Sequence, residues 1–195
     1  MVTAATRIEK LDIMTALSHE VPEYPAAEAT QLSKSSIYSL AEDIARQLDY
    51  KPGSEISNAV AKLGGSIEVH NFRDDPSSNP ESMIVEEPGK FKIYISPDTS
   101  VERDNFTIAH ELGHYVLHFL WQRHKGKQLE RMAANRFGSN RVEWEANWFA
   151  AAFLMPEKEF RAAWQKSGNA SLVAREFGVS TSAADTRAKA LTLAA

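Results

Sequence analysis

From Ile37 onward, Ile37, Leu40, Ala41, Ile44, Ala45 and Leu48 recur three and four residues apart. That spacing puts apolar side chains on one face of an α-helix. Lys51-Pro52-Gly53 stops the helix, and a second is expected from about Ser54, through Ile56, Ala59, Val60 and Leu63, to Gly64-Gly65. The period then falls to two. Ile67 and Val69 alternate with polar residues in the stretch 66–72, and Asp74–Pro80 is dense in turn-forming residues. The stretches 82–87 and 91–96 flank Pro88-Gly89, with Phe91, Ile93 and Ile95 on one face and Lys92 and Tyr94 on the other. This pattern predicts a hairpin within a small antiparallel sheet, buried on one face. Helical spacing returns near Ser100 and is expected to continue to the end. Helices, a sheet, then helices again give an α+β fold.

The two ends are patterned differently. Ile8, Leu11 and Leu17 allow a short helix over 1–17, too short to be stable alone. The stretch 18–36 mixes Pro, Ser and acids and reads as a linker. Residues 1–30 are therefore expected to be an arm or linker, 31–156 the main domain and 157–195 a helical C-terminal segment. Within that segment, 171–191 reads as a helix, a turn at Gly178, and a second helix capped by Ser180 or Thr181, which is helix-turn-helix-like. Arg175, Arg187 and Lys189 are balanced by Glu176 and Asp185, so the basic surplus that neutralises phosphates is missing. Docking of a partner, or plain packing, is the expected use of this segment.

Composition narrows the function classes. The 195 residues carry a net charge of −4, which argues against direct nucleic-acid binding and against an anionic membrane surface. One region departs from this average: between Trp121 and Arg141 six Lys/Arg face a single acid, Glu130. It is read as a solvated face or as a patch for an acidic partner. The absence of cysteine removes thiolate chemistry and disulfides. The N-terminus has no apolar signal region, and the longest apolar run, Trp148–Met155, falls far short of the ~20 residues of a membrane span. A cytoplasmic location with no membrane partner is the expectation.

The chemistry concentrates in the stretch Phe106–His118, FTIAHELGHYVLH. His110 and His114, four apart on a helix, stack on one face about 5.4 Å apart along the axis. Both imidazoles can then reach one metal ion at ~2.0–2.1 Å, while Glu111 is placed to act as general base without being a ligand. A catalytic zinc site commonly takes three protein ligands and leaves one position open. His118 lies ~12 Å beyond His110 on a straight helix, too far to share the ion, and is read as a surface or second-shell residue. Leu117 and Leu120 stand where a metzincin-type motif wants Gly and His. The third ligand must come from elsewhere.

The best source is the stretch Arg141–Pro156, where Ala146, Phe149, Ala150, Phe153 and Leu154 form an apolar stripe ended by Pro156. Glu143 is placed to complete the metal site, and Asn147, one turn on, to hold a ligating imidazole by its other nitrogen. Glu145 points roughly 200° away from Glu143 and does not share its face. Glu130, in a basic and less apolar stretch, is a weaker rival.

These two segments together resemble the ImmA/IrrE family of zinc-dependent endopeptidases. In that family a His-Glu-x-x-His helix is followed some thirty residues on by a helix of the pattern Glu-x-x-Ala-Asn/Asp-x-Phe-Ala…Leu-Met-Pro. The matching residues are His110, Glu111, His114, Glu143, Ala146, Asn147, Phe149, Ala150, Leu154, Met155 and Pro156. The resemblance is strong over about 100–156 and extends plausibly from 37. It implies a zincin-like domain with metal ligands His110, His114 and Glu143, the base Glu111, and Zn2+ or alternatively Mn2+ as cofactor. It also implies an intracellular protein substrate, a helix-turn-helix repressor of the XRE type, or an antitoxin in a two-gene module. The arm 1–30 has no counterpart in the family.

The function expected is hydrolysis of a peptide bond, with the substrate extended along an edge strand containing Phe91–Ile95. The alternative is a toxin-like or regulatory protein that binds a partner with little or no proteolysis. For the developing oxyanion, His124, Tyr115, Tyr94 and nearby arginines all stand as donors, and the sequence does not choose among them.

Overall fold

The first expected helix begins earlier than its apolar stripe because a side chain caps it. Ser33 Oγ accepts from the Ser36 amide, and α1 runs Lys34–Gln47 with Ile37, Ala41 and Ala45 buried. The structure, a computed structural model, describes residues 24–71, 81–135 and 140–194. The helix expected over 1–17 and the turn over 74–80 lie outside these residues. α2 covers Ser57–Lys62 and is followed by Gly64 at φ 84°. A Cβ there would lie 2.1 Å from the Gly89 carbonyl oxygen, so both conformation and space require glycine.

The sheet has the strand order β1-β3-β2-β4. β2 (Glu81–Glu87) and β3 (Lys90–Ile95) form the expected hairpin about Pro88-Gly89. β1 (Gly65–Val69) pairs with β3 in parallel, from Gly65 opposite Phe91 to Val69 opposite Ile95. The sheet is therefore mixed, not antiparallel as expected. Alternation marks a strand but carries no information about the direction of its partner.

β4 (Met132–Asn135) pairs antiparallel with β2 and interrupts what was expected to be helical to the end. Its four residues have no alternation long enough to signal a strand; Met132, Ala133 and Ala134 are buried because β2 recruits them. A second expectation also fails. β3 is flanked on both sides by strands, so its backbone groups are already paired and it is not an edge on which a substrate could add. At the outer edge of β4, Ala26 bridges Ala133 in parallel, and Pro25 accepts the Ala133 amide.

α3 (Val101–Gly113) starts at a cap in which Ser100 Oγ accepts from the Arg103 amide, with Glu102 and Asp104 in its first turn, where the helix dipole favours acids. It continues without a break into a π-helical stretch, His114–Leu120, and a last turn, α4 (Trp121–His124). α5 (Arg141–Leu154) is capped by Asn140, whose Oδ1 accepts from the amides of Val142 and Glu143. Its expected stripe is fully buried: Ala146, Phe149, Ala150, Phe153 and Leu154 are each 0% exposed. Each of the larger ones contributes roughly 1.5–3 kcal/mol by leaving water.

α6 (Glu157–Ser167), α7 (Ala170–Phe177) and α8 (Thr181–Ala190) complete the chain. Gly178, at φ 63°, makes the turn between α7 and α8, and Ser180 Oγ caps α8 by accepting from Ala183. These helices pack on the rest of the molecule through Val173, Phe177, Val179, Ala184 and Ala188, which join the common core. Asn105 Nδ2 donates to the Gly178 carbonyl at 2.9 Å, tying the turn to α3. Arg187, one of the cations weighed above for phosphate contact, is itself 1% exposed. Among the described residues, no helix is long and apolar enough to cross a membrane.

Candidate metal centre

The close crossing of α3 and α5 builds the site. A Cβ on Gly113 would lie 3.1 Å from both Cα and the carbonyl oxygen of Ala146, and 3.2 Å from Phe149 Cβ. The missing side chain on one helix and the methyl on the other let the backbones approach closely. Gly113 follows Leu112 in the motif and contributes no chemistry, yet the convergence depends on it. Its signal in the sequence is a glycine inside an otherwise apolar helical pattern, the usual mark of a packing requirement.

Across this crossing His110, His114 and Glu143 present donor atoms that all lie within 4.8 Å of one another. The two Nε2 atoms stand 3.0 Å apart. Glu143 Oε2 is 3.2 Å from His110 Nε2, and Oε1 is 3.5 Å from His114 Nε2. Ligands at ~2.0–2.1 Å from one tetrahedral ion are separated by roughly 3.3 Å, so the three donors fit such an ion. Two imidazoles and a carboxylate also form a borderline donor set suited to zinc. Glu130 is not part of the group.

The electrostatics agree with this use. Burial holds His114 down to about 4, against a partial offset from its hydrogen bond to Glu143, so the imidazole is neutral with a lone pair to offer near pH 7. For His110 burial also opposes protonation, but the hydrogen bond to Glu143 and the charges of Glu111 and Glu143 outweigh it and raise the value. Burial works against ionisation of Glu143 too; the hydrogen bonds to His110 and His114 overcome it and bring the carboxyl down to about 2.

The remaining ring nitrogens are also engaged. His110 Nδ1 lies 3.1 Å from Asn147 Oδ1, the contact expected of Asn147. Because Oδ1 only accepts, Nδ1 carries the proton and Nε2 is left for the ion. His114 Nδ1 lies 3.0 Å from His118 Nδ1. His118 is 1% exposed, so of the two readings offered for it, surface and second shell, the structure excludes the surface. Glu145, turned away from Glu143 as the helical geometry requires, is 3.3 Å from His118 Nε2.

A cleft of about 580 Å3 opens onto the group, lined by His110, Glu111, Glu143 and Asn147, by Thr107 and Arg103 of α3, and by Ser82, Ile95 and Ser96 from the ends of β2 and β3. Glu111 is 3% exposed and faces this cleft. Of the residues considered as oxyanion donors, Arg103 lines the cleft. Tyr115 does not: its hydroxyl accepts from the Gly89 amide at 2.8 Å, and its ring stacks on Phe91.

Comparison with known proteins agrees with this geometry. Residues 69–189 match the IrrE N-terminal-like domain, Peptidase_M78, which covers more than half of the chain. The chain belongs to this family, the ImmA/IrrE metallopeptidases. No match is found among curated protein sequences. Among solved structures, a Mycobacterium tuberculosis transcriptional regulator has a similar fold, with a TM-score of 0.52 and 21% identity over 78% of this chain. The chain spans 46% of the length of that regulator.

Proposed function

We propose that the protein is a zincin-like metallo-endopeptidase that hydrolyses a peptide bond in an intracellular protein, a helix-turn-helix repressor of the XRE type. The observation that supports this most is the meeting of two imidazoles and one carboxylate, from helices remote in the chain, beside a cleft that also contains Glu111. His110, His114 and Glu143 would hold the ion. Bound there, zinc supplies Lewis-acid polarisation of the scissile carbonyl and lowers the pKa of a coordinated water toward ~7.

The chain's own residues do the rest. Glu111, adjacent to His110 on the cleft wall, takes the proton from the attacking water and delivers it to the departing amine. Asn147 fixes the ring of His110, so that its Nε2 lone pair is held toward the ion. Arg103, on the same wall, is the cation available to the negative charge that develops on the carbonyl oxygen. The substrate lies between α3 and the ends of β2 and β3, in the cleft instead of along β3. That a similar fold occurs in a transcriptional regulator of Mycobacterium tuberculosis supports a link to gene control.

The test is incubation of the zinc-loaded protein with candidate helix-turn-helix repressors of the XRE type, with products read by mass spectrometry. The wild type is expected to cut at one site. Glu111→Gln is expected to retain zinc while losing ~10^2–10^4-fold in rate, the usual contribution of a general base. Cleavage by Glu111→Gln at the wild-type rate, or a wild type that takes up no metal, would overturn the proposal.

A further inference from the structure

We propose that His118 and Glu145 form a positioning relay that fixes the tautomer of His114, so that its Nε2 is always the atom offered to the ion. The inference rests on the metal-site reading above and extends it to residues that touch neither ion nor substrate.

The direction of the relay follows from which atoms can donate. Glu145 is 0% exposed, and its two oxygens are surrounded by donors. Oε2 accepts from the Thr30 amide at 2.7 Å and from Thr30 Oγ1 at 2.8 Å. Oε1 accepts from the Gln31 amide at 3.1 Å and from Arg141 Nε at 2.8 Å. Two of these donors are backbone amides and one belongs to a guanidinium, none of which can act as an acceptor. Glu145 is therefore an acceptor throughout, and His118 Nε2, 3.3 Å from Oε2, carries a proton and donates it. With that as its single ring proton, as the relay requires, His118 has a bare Nδ1. That atom lies 3.0 Å from His114 Nδ1 and accepts from it. With its proton held on Nδ1, His114 keeps a lone pair on Nε2, the atom that faces His110 and Glu143.

A metal-bound histidine usually donates its second nitrogen directly to a carboxylate or a carbonyl. Here an extra imidazole is inserted, so that the carboxylate setting the tautomer is one residue further back. The far end of the relay is anchored by Thr30 and Gln31, in the docked segment that precedes α1. Arg141 Nη2 also donates to the Leu32 carbonyl at 2.5 Å, which holds that segment against α5. The orientation of His114 thus depends on residues more than eighty positions upstream of it.

Two measurements on the full chain test this. In the zinc-loaded wild type, long-range 15N–1H NMR of the histidine rings should show His118 as the neutral Nε2–H tautomer. A His118 protonated on Nδ1, or as imidazolium, overturns the relay. Zinc affinity is then measured by competition with a chromophoric chelator. His118→Leu, which keeps bulk and removes the acceptor, should bind ~10–100-fold more weakly. His118→Asn, whose Oδ1 can take the place of Nδ1, should recover most of that loss. Equal affinity in His118→Leu and wild type overturns the relay; so does an equal loss in both variants, which would reduce His118 to packing. A wild type that binds no zinc sinks the metal-site reading instead, and metal uptake without proteolysis leaves the relay standing while the endopeptidase proposal falls.

Discussion

Glu143 and Glu145 stand two residues apart on α5 and lead opposite lives. Glu143 faces the cleft, with 16% of its side chain exposed, and among the described residues its oxygens meet the imidazole nitrogens of His110 and His114. Glu145 faces the rear, wholly enclosed, and its oxygens meet backbone amides, a hydroxyl, a guanidinium and an imidazole. The front carboxylate is grouped with two imidazole nitrogens close enough together to share one ion. The rear carboxylate is saturated. The difference teaches that buried charge serves two purposes in this fold: the front group is poised to bind, and the rear group is spent on holding the frame that poises it.

Substitutions can break this contrast. The largest effect is expected from Glu143→Ala, which removes a ligand; zinc affinity should fall by more than the ~10–100-fold typical of outer partners. The apo protein should lose only about 1 kcal/mol, because water in the cleft can take over the imidazole hydrogen bonds that the carboxylate leaves. Chelator competition and denaturant melts check the two halves. Glu145→Ala should do the reverse to the fold, destabilising the apo protein by about 3 kcal/mol, since it strands the donors of Thr30 and Gln31 and the charge of Arg141. If both variants unfold alike, the distinction between front and rear is wrong. The smallest effect is expected at the crossing that joins the two sides. Gly113→Ala forces α3 and α5 apart by a few tenths of an ångström, costing ~1–3 kcal/mol in a thermal or urea melt and weakening zinc binding along with stability.

How far the sequence disclosed the site can be judged residue by residue. His110 and His114 were legible because four residues is one helical turn, and Asn147 because it lies one turn beyond Glu143. Those are local facts that any helix enforces. Gly113 was passed over in the sequence, since a close approach involves a second helix that the local pattern does not name. The environment of Glu145 was illegible. Its direction away from Glu143 could be computed, but the donors from Thr30 and Gln31 lie more than a hundred positions away, in a stretch whose composition reads as linker.

The sheet divides in the same way. Alternation marked β2 and β3 and the turn between them, because pleating and hairpin geometry are written in neighbouring residues. It could not mark β4, whose four residues become a strand only when β2 offers unpaired backbone groups. Nor could it assign β1 to a parallel partner, and with that went the expectation that β3 was free to receive a substrate. By itself the sequence determined the helices, their apolar faces, the hairpin, and the motif residues that can bind a metal ion. The tertiary structure alone decided which donors meet, which carboxylate faces the cleft and which is enclosed, because periodicity fixes where a side chain points on its own element and only packing fixes what it points at.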